Sequence, residues 1–323
     1  MTTRATRAGA RSAGNDAERI EAVPVRYPGR WVAAAAVLLL VAMFVHMLVT
    51  NPAFQWGFMR DNMFAEPVLQ GVRTTLLLTV LAMVIGVALG VIVSVMRLSP
   101  NPVLSLTAWT YTWFFRAVPR IVLLILFGNL GILYSRFEVG LPFDGPLLSL
   151  LGLDGSARVF GVDANTVLTA FMAGLLGLAL SEAAYMAEIV RAGILSVDPG
   201  QTEAAQALGM SRGQTLRRIV LPQAMRVIVP PTGNETIAML KDTSLVAFVP
   251  VTNELFFQLR AVGTRTFQVF PMLVAACLWY LALTSVLMVA QHVLERRFSR
   301  GFGARRGRQA EAVAKAEAIG QLH

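Results

Sequence analysis

The sequence is poor in the residues that build disulfide frameworks, metal sites and charged soluble surfaces. Its 323 residues include one cysteine and three histidines, and only 15% of them are charged. Cys277 has no second cysteine to pair with, and the histidines at positions 46, 292 and 323 share no ligand spacing. These shortages exclude an intrachain disulfide and argue against a histidine-based metal centre.

Lysine is also scarce, since only Lys241 and Lys315 occur, and neither follows a glycine. The chain therefore lacks the G-x-x-x-x-G-K-[ST] motif that cradles nucleotide phosphates. Paired carboxylates, Ser/His pairs and metal clusters at catalytic spacing are missing as well. The sequence predicts no catalytic residue, and no cofactor or metal of its own.

What the sequence has in abundance is apolar surface. The hydrophobic fraction is 55%, and the mean hydropathy of +0.61 lies outside the range of ordinary soluble domains. The net charge of +9 comes almost entirely from arginines, many of which crowd into 4–30 and 296–308, outside the apolar runs. Because no basic stripe is interleaved with stacking aromatics, this charge indicates membrane topology rather than nucleic-acid binding.

Six apolar segments are predicted to cross the membrane as helices. They are 31–49, 74–96, 109–134, 166–190, 227–251 and 267–294. The first is interpreted as a retained helix, because the tail before it is too long for a signal peptide and no small-x-small cleavage site follows. Gly86 and Gly90 have the spacing that lets two helices approach closely, and Pro119 should kink the third span or mark its start. Residues 135–165 are expected to form an external loop.

The charge distribution predicts the orientation of these spans. Six crossings place both tails on one side, and most arginines fall in 1–30, 97–108, 191–226 and 295–323. The opposite segments carry these acidic residues: Asp61, Glu66, Asp144, Asp154 and Asp163. The positive-inside rule then places both tails in the cytoplasm. Residues 1–30 lack periodicity and are expected to be disordered, and 299–323 should form a basic cytoplasmic tail.

The polar stretch between the fourth and fifth spans carries strong helix-start signals. Asp198 is a candidate N-cap, followed by proline at the first helical position and a glutamine two residues later, and Gly209 is placed to end the helix. Ser211 and Gln214 form a second capping box, and this second helix is expected to end before Pro222. Two short, capped cytoplasmic helices are predicted, and a soluble partner would explain them.

This stretch resembles a known signature at every fixed position. Permease subunits of binding-protein-dependent ABC importers carry EAA-x3-G-x9-I-x-LP. The matching residues are Glu203, Ala204, Ala205, Gly209, Ile219, Leu221 and Pro222. Three further runs, at 115–119 (FRAVP), 181–191 (SEAAYMAEIVR) and 241–245 (KDTSL), are similar to the polar amino acid branch, which includes histidine, glutamine and glutamate systems.

The resemblance covers about 68–298 and implies an all-α integral membrane fold. Its core would be the five-helix type I importer domain, with 31–49 as an additional transmembrane helix. It also implies a bacterial inner-membrane complex of two permease subunits, two ATPase subunits that bind ATP and magnesium, and an extracytoplasmic solute-binding protein. The EAA-type helix would dock into the ATPase and couple hydrolysis to transport.

A second group of candidate residues lies inside the fifth apolar segment. Ionisable side chains at membrane depth are costly and are functional candidates. The predicted substrate path comprises Asn234, Glu235, Lys241, Asp242, Thr243 and Ser244. Pro230 and Pro231 should break the helix there, as is tolerated beside a water-filled cavity. A structural Lys241–Asp242 pair or a helix end at the interface is an equally good interpretation.

The remaining charged residues of the spans favour structural roles. Glu188 and Arg191 are three apart and can pair on one helix face, whereas Arg116 and Arg120 are expected to snorkel to the interface. Two alternative functions remain open at this point. The same architecture could carry an ion, a sugar or a peptide, and a secondary carrier would need no ATPase, although no internal repeat is evident.

Overall fold

The computed structural model describes residues 28–133, 135–140, 148–150, 158–249 and 251–299. The predicted disordered tail at 1–30 therefore lies outside the described residues, except that Pro28 to Arg30 belong to a helix. The predicted basic tail at 299–323 also lies outside them, apart from Ser299, which ends the last helix.

The chain divides into two units, 1–52 and 53–323. In the first unit the structure describes α1 (Pro28–Thr50), a predominantly apolar helix with Arg30 near its start. The second unit is mostly helical. Its elements are a 3₁₀ turn (Pro52–Phe54, whose first residue is the last of unit one), α2 (Trp56–Asn62), α3 (Glu66–Arg97), α4 (Pro102–Ala117), α5 (Arg120–Gly128), α6 (Leu130–Leu133), β1 (Arg136–Gly140), β2 (Arg158–Asp163), α7 (Ala164–Val167), α8 (Ala170–Leu195), α9 (Pro199–Ala207), α10 (Arg212–Thr215), a π turn (Leu216–Val220), α11 (Leu221–Asp242), a 3₁₀ turn (Thr243–Phe248), α12 (Leu255–Arg265) and α13 (Val269–Ser299).

Four of the described helices, α1, α3, α8 and α13, are long and apolar enough to cross a membrane. A fifth span results if α4 and α5 are taken together. The predicted fifth segment corresponds mainly to α11, which contains Arg226, Glu235 and Lys241 and is not among these helices. The count of six crossings thus remains a prediction.

The third predicted span is broken, as Pro119 suggested. α4 and α5 meet at 100° across Val118 and Pro119. Val118 is extended, with φ −86° and ψ 130°, because the proline ring that follows disfavours the helical conformation for the residue before it. The break places Arg120 at the start of α5 rather than in the middle of a continuous helix.

The fold is mostly helical, as predicted, but the segment predicted to be an external loop also contains two short strands. β1 and β2 pair antiparallel, with Arg136 opposite Asp163 and Phe137 opposite Val162. The sequences RFEVG and RVFGVD supply the β-branched and aromatic residues that favour a pleated ladder. A helix-only interpretation missed this because each strand is too short to show a clear period.

Two prolines predicted to interrupt helices do not do so. α11 runs unbroken through Pro230 and Pro231, although both lack the N–H that would bond to the carbonyl four residues earlier, at Arg226 and Val227. Helix-breaking residues are tolerated in membrane helices where side chains and neighbouring helices satisfy the backbone. Pro222 does not follow a helix end either, because the chain continues from α10 through the π turn into α11, and the wider turn makes room for the proline ring.

α3 and α8 form the central packed pair of the second unit. A methyl group built on Gly90 would lie 2.5 Å from Cβ of Met186 and 3.0 Å from the Ala183 carbonyl oxygen. Gly86 approaches the Glu182 side chain almost as closely, since a methyl group built on it would lie 2.8 Å from both Cβ and Cγ. The predicted small-residue face of α3 is confirmed, and it presses directly on the side of α8 that carries Glu182.

We expect Gly90→Ala to destabilise the protein by about 1–3 kcal/mol, because the added methyl overpacks a contact in which the backbone of α8 cannot yield. Gly57→Ala is the matched control, since a methyl at Gly57 meets nothing within 4 Å. Denaturant unfolding of both variants in detergent measures the difference. Equal stabilities would contradict the close approach of α3 and α8.

A buried carboxylate ties three helices together on another side of the unit. Glu254 caps α12 by accepting hydrogen bonds from the backbone N–H groups of Phe256 and Phe257 at 2.8 and 3.1 Å. Its other oxygen accepts from the hydroxyls of Thr75 in α3 and Tyr280 in α13, at 3.0 and 2.7 Å. Because both oxygens are bonded, this fully buried group has a structural role that links α3, α12 and α13.

Candidate substrate path and coupling segment

Arg120 lies at the centre of a cluster of acidic side chains. Its Nη1 donates to Asp242 Oδ2 at 2.6 Å, and its Nη2 donates to Glu182 Oε2 at 2.8 Å. Glu235 Oε2 is 3.8 Å from Nη2. The Arg120 side chain is only 12% exposed. We call these four residues, Arg120, Glu182, Glu235 and Asp242, the charge cluster.

Three helices carry the charge cluster. Arg120 begins α5 after the break, and Glu182 lies on the face of α8 that α3 covers. Glu235 and Asp242 are seven residues apart on α11, which is about two helical turns, so they project from the same face. The bend at Pro119 directs the first turn of α5 toward both α8 and α11.

The charges in this cluster do not balance. Three carboxylates surround one guanidinium, a formal charge of +1 − 3 = −2. Glu182 is fully buried, and its Oε1 has no hydrogen-bond partner within the described part of the chain. An unpartnered buried carboxylate oxygen is costly, so this atom is an acceptor for a donor group that a ligand could bring.

Tyr185 lies one helical turn beyond Glu182 on α8. The Cζ atom of Arg120 is 4.8 Å from the centre of its ring, and that of Arg116 is 5.6 Å away, distances at which cations are attracted to an aromatic face. The expectation that Arg120 snorkels to the interface is wrong, because three carboxylates hold it inside the protein. Arg116 is exposed.

The structure separates the six predicted path residues. Glu235 and Asp242 join the charge cluster, whereas Asn234 accepts a hydrogen bond from Gln291 of α13 at 2.8 Å. Lys241 is exposed and forms no salt bridge among the described residues, so the alternative Lys241–Asp242 pair is not formed.

The two hydroxyls that follow bond to their own helix end. Thr243 is buried and donates to the Leu240 carbonyl, and Ser244 donates to that of Lys241, both at 2.7 Å. Sequence reasoning assigned structural or interfacial roles to Glu182 and Arg120, the two members of the cluster that it did not place on the path. The signal that could have identified these two residues was the occurrence of ionisable residues within three different apolar segments.

Elsewhere on α8 the predicted ion pair is confirmed. Glu188 Oε2 accepts hydrogen bonds from Nε and Nη2 of Arg191 at 3.0 and 2.8 Å. The guanidinium thereby fixes the orientation of this carboxylate on the helix that also carries Glu182 and Tyr185.

The predicted short helix after the fourth span is present as α9, and its caps follow the prediction. The Asp198 side chain accepts from the backbone N–H of Gly200 at 2.8 Å, and Pro199 is the first helical residue. At the other end, the N–H of Gly209 bonds to the Gln206 carbonyl and that of Met210 to the Ala205 carbonyl. These two hydrogen bonds, together with φ +76° at Gly209, form a Schellman cap, which favours glycine at this position.

The second predicted cap is also present. Ser211 and Gln214 exchange reciprocal hydrogen bonds in a capping box at the start of α10. Among the seven signature residues, Ala205 is buried and Ile219 half-buried, whereas the other five are exposed. These five are Glu203, Ala204, Gly209, Leu221 and Pro222. Leu208 is 83% exposed, so the segment presents an apolar side chain to solvent.

A helical bundle with apolar spans, a buried charge cluster and a capped polar helix between spans defines the class: this is a membrane-embedded transport subunit. Residues 83–300 match the family described as binding-protein-dependent transport system inner membrane component, and the chain belongs to that family. Permease subunits of this kind are non-catalytic, and ATP is hydrolysed by a partner subunit.

Known relatives agree with this assignment. The chain is 45% identical over 282 residues to the arginine transport system permease protein ArgU of Corynebacterium glutamicum, covering 87% of this chain and 84% of that one. It is 34% identical over 252 residues to the probable amino-acid ABC transporter permease protein YckA of Bacillus subtilis, covering 76% and 97%.

Solved structures show the same fold. A crystal structure of an amino acid ABC transporter with histidines superposes with a TM-score of 0.55 at 30% identity, covering 79% of this chain and 98% of that one. The MetNI methionine ABC transporter, in an inward-facing conformation, gives a TM-score of 0.52 at 19% identity, covering 74% and 97%. The second likeness concerns the fold alone.

Proposed function

We propose that the chain forms the translocation path of an ATP-driven importer for amino acids, and that its cargo has a basic side chain. The observation that supports a basic cargo is the charge cluster, in which three carboxylates face one guanidinium. The 45% identity to a permease named for arginine transport supports the same cargo. The fold does not distinguish cargoes, since an alginate transporter shares it at 16% identity.

Each part of a basic amino acid has a complementary group in this cluster. The substrate carboxylate would pair with the Arg120 guanidinium, as in other bidentate carboxylate contacts. The ammonium and the basic side chain would be shared among Glu235, Asp242 and the unpartnered Oε1 of Glu182. The net charge of +1 on a basic amino acid would lower the formal charge of the cluster from −2 to −1.

The other predicted path residues would extend this site along α11. Lys241 is exposed beside Asp242 and can attract a carboxylate toward the cluster, whereas Asn234, Thr243 and Ser244 line the same helix and its end. The distances to Gln291 and to the helix carbonyls support a positioning role for these three residues rather than a direct charge contact.

The capped segment from Glu203 to Pro222 is proposed to dock on an ATPase subunit. A helix fixed at both ends transmits displacement, and its exposed Leu208 offers an apolar contact. We infer a bacterial inner-membrane complex of two permease subunits, two ATPase subunits and an extracytoplasmic binding protein. In this complex both tails are cytoplasmic, 68–298 is the importer domain, and α1 is an additional span.

The proposal is tested by uptake of radiolabelled L-arginine into proteoliposomes that contain this chain, its ATPase and its binding protein. We expect uptake that requires hydrolysable ATP and is reduced by excess L-lysine more than by excess L-leucine, because only a basic side chain matches the cluster.

Two controls separate the alternatives. The chain alone, under an ion gradient without ATP, should move nothing, and gradient-driven uptake would instead identify a secondary carrier. ATP-dependent uptake of L-leucine or maltose in preference to L-arginine would retain the importer and refute the basic cargo.

A further inference from the structure

An open cavity of about 440 Å³ lies beside the charge cluster, between α3, α4 and α8. Three charged residues line it, namely Arg97 at the end of α3, Arg116 near the end of α4, and Glu188 on α8. Trp109 and Trp113 supply a further wall, with their rings nearly parallel and 6.2 Å apart. We call it the second cavity.

The second cavity lies next to the charge cluster along the axis of α8. Glu182 and Tyr185 are three residues apart, as are Tyr185 and Glu188, so each neighbouring pair is adjacent on the helix surface and Tyr185 lies between the two carboxylates. At 1.5 Å per residue, Glu182 and Glu188 are separated by about 9 Å along the axis. The direction is toward Leu195, where α8 ends just before the coupling helix α9.

Tyr185 contacts both the charge cluster and the second cavity. It lines the second cavity, and the guanidinium groups of both Arg120 and Arg116 lie within 6 Å of its ring centre, at 4.8 and 5.6 Å. A group released from Arg120 therefore has Arg116 beside the same aromatic ring. No helix has to be crossed between the two.

The polar atoms of the second cavity can take both ends of a zwitterion. The Nε of Arg97 is buried and has no hydrogen-bond partner among the described residues, and buried donors are normally paired. Together with Arg116 it can hold a carboxylate. The hydrogen bonds from Arg191 both go to Oε2 of Glu188, so Oε1 can accept from an ammonium group.

We propose that the second cavity is a second solute-binding site, which holds the α-carboxylate and α-ammonium of an amino acid after it leaves the charge cluster and before release on the coupling-segment side. The proposal rests on the proposed function, since it concerns the same cargo. The charge cluster selects the basic side chain, and the second cavity recognises the backbone groups that all amino acids share.

Binding of radiolabelled L-arginine to the complete transporter in nanodiscs, without ATP, tests this by stoichiometry. We expect two sites per permease chain. Arg116→Gln should weaken one of them about 10-fold or more, as expected when a charge-assisted hydrogen bond is lost, and should leave the other unchanged. Asp242→Asn should weaken the other site instead. Arg97→Gln should reproduce the effect of Arg116→Gln.

Arg73→Gln is the matched control, because Arg73 is an exposed arginine of α3 outside both places, and both sites should persist. A single site that Arg116→Gln leaves intact would overturn the proposal while the importer function stands. So would a second site from which L-arginine is displaced by anionic phosphatidylglycerol but not by L-leucine, because that identifies a lipid headgroup site. Absence of any arginine binding, together with absence of uptake, would instead refute the proposed function.

Discussion

Replacing Gly209 with valine is expected to reduce ATP-driven uptake at least about 10-fold while hydrolysis by the ATPase continues. Gly209 has φ +76°, where a side chain costs about 1–2 kcal/mol and a β-branched one more. Relieving that strain would unwind the Schellman cap, and the two hydrogen bonds to the carbonyls of Gln206 and Ala205 would be lost. The end of the coupling helix would then fray and absorb the displacement it is proposed to transmit.

The matched control for this prediction is Gly209→Asn. A methyl at Gly209 would meet nothing within 4 Å, so space is not limiting, and only the backbone conformation penalises a substitution. Asparagine tolerates the left-handed region better than other side chains. It should therefore keep most of the uptake. The ratio of arginine transported to ATP hydrolysed is the measurement, and an unchanged ratio in the valine variant would rule out a mechanical role for this cap.

The segment from Asp198 to Pro222, which is proposed to couple transport to the ATPase, could be predicted in detail because its structure is local. Asp198, Gly209, Ser211 and Gln214 act on backbone groups within three or four residues of themselves, so their spacing in the sequence is sufficient. The prediction failed only at Pro222. There a π turn, which has no sequence signature, accommodates the proline within a continuous helix.

The charge cluster could be predicted only in part because its members are far apart in the chain. Glu235 and Asp242 were identified by their cost at membrane depth, but the partner of Asp242 is 122 residues away. The break at Pro119 was expected, whereas its 100° angle was not, and that angle is what turns Arg120 inward. Sequence reasoning expected a kink or a helix start at Pro119 but placed Arg116 and Arg120 on one helix face, so it assigned Arg120 to the interface.

Arg120→Leu is expected to remove ATP-driven uptake almost completely, by about 100-fold or more, and to destabilise the chain by about 3–5 kcal/mol. The reason for the second effect is that Glu182, with no exposed surface, would lose its ion pair, and an uncompensated buried charge is strongly destabilising. The reason for the first is that the substrate carboxylate would lose its partner. Uptake of L-arginine and denaturant unfolding in detergent measure the two effects.

The double variant Arg120→Leu with Glu182→Leu separates stability from transport. Replacing both members of a buried ion pair by apolar residues is often neutral or stabilising, so the double variant should unfold close to the wild type. Asp242 and Glu235 remain, but they are partly solvated, at 32% and 25% side-chain exposure. Uptake should stay absent, because the double variant regains stability but still lacks the guanidinium that would bind the substrate carboxylate. Recovery of uptake in the double variant would mean that Arg120 serves only to neutralise Glu182, and the substrate would then have to be recognised elsewhere.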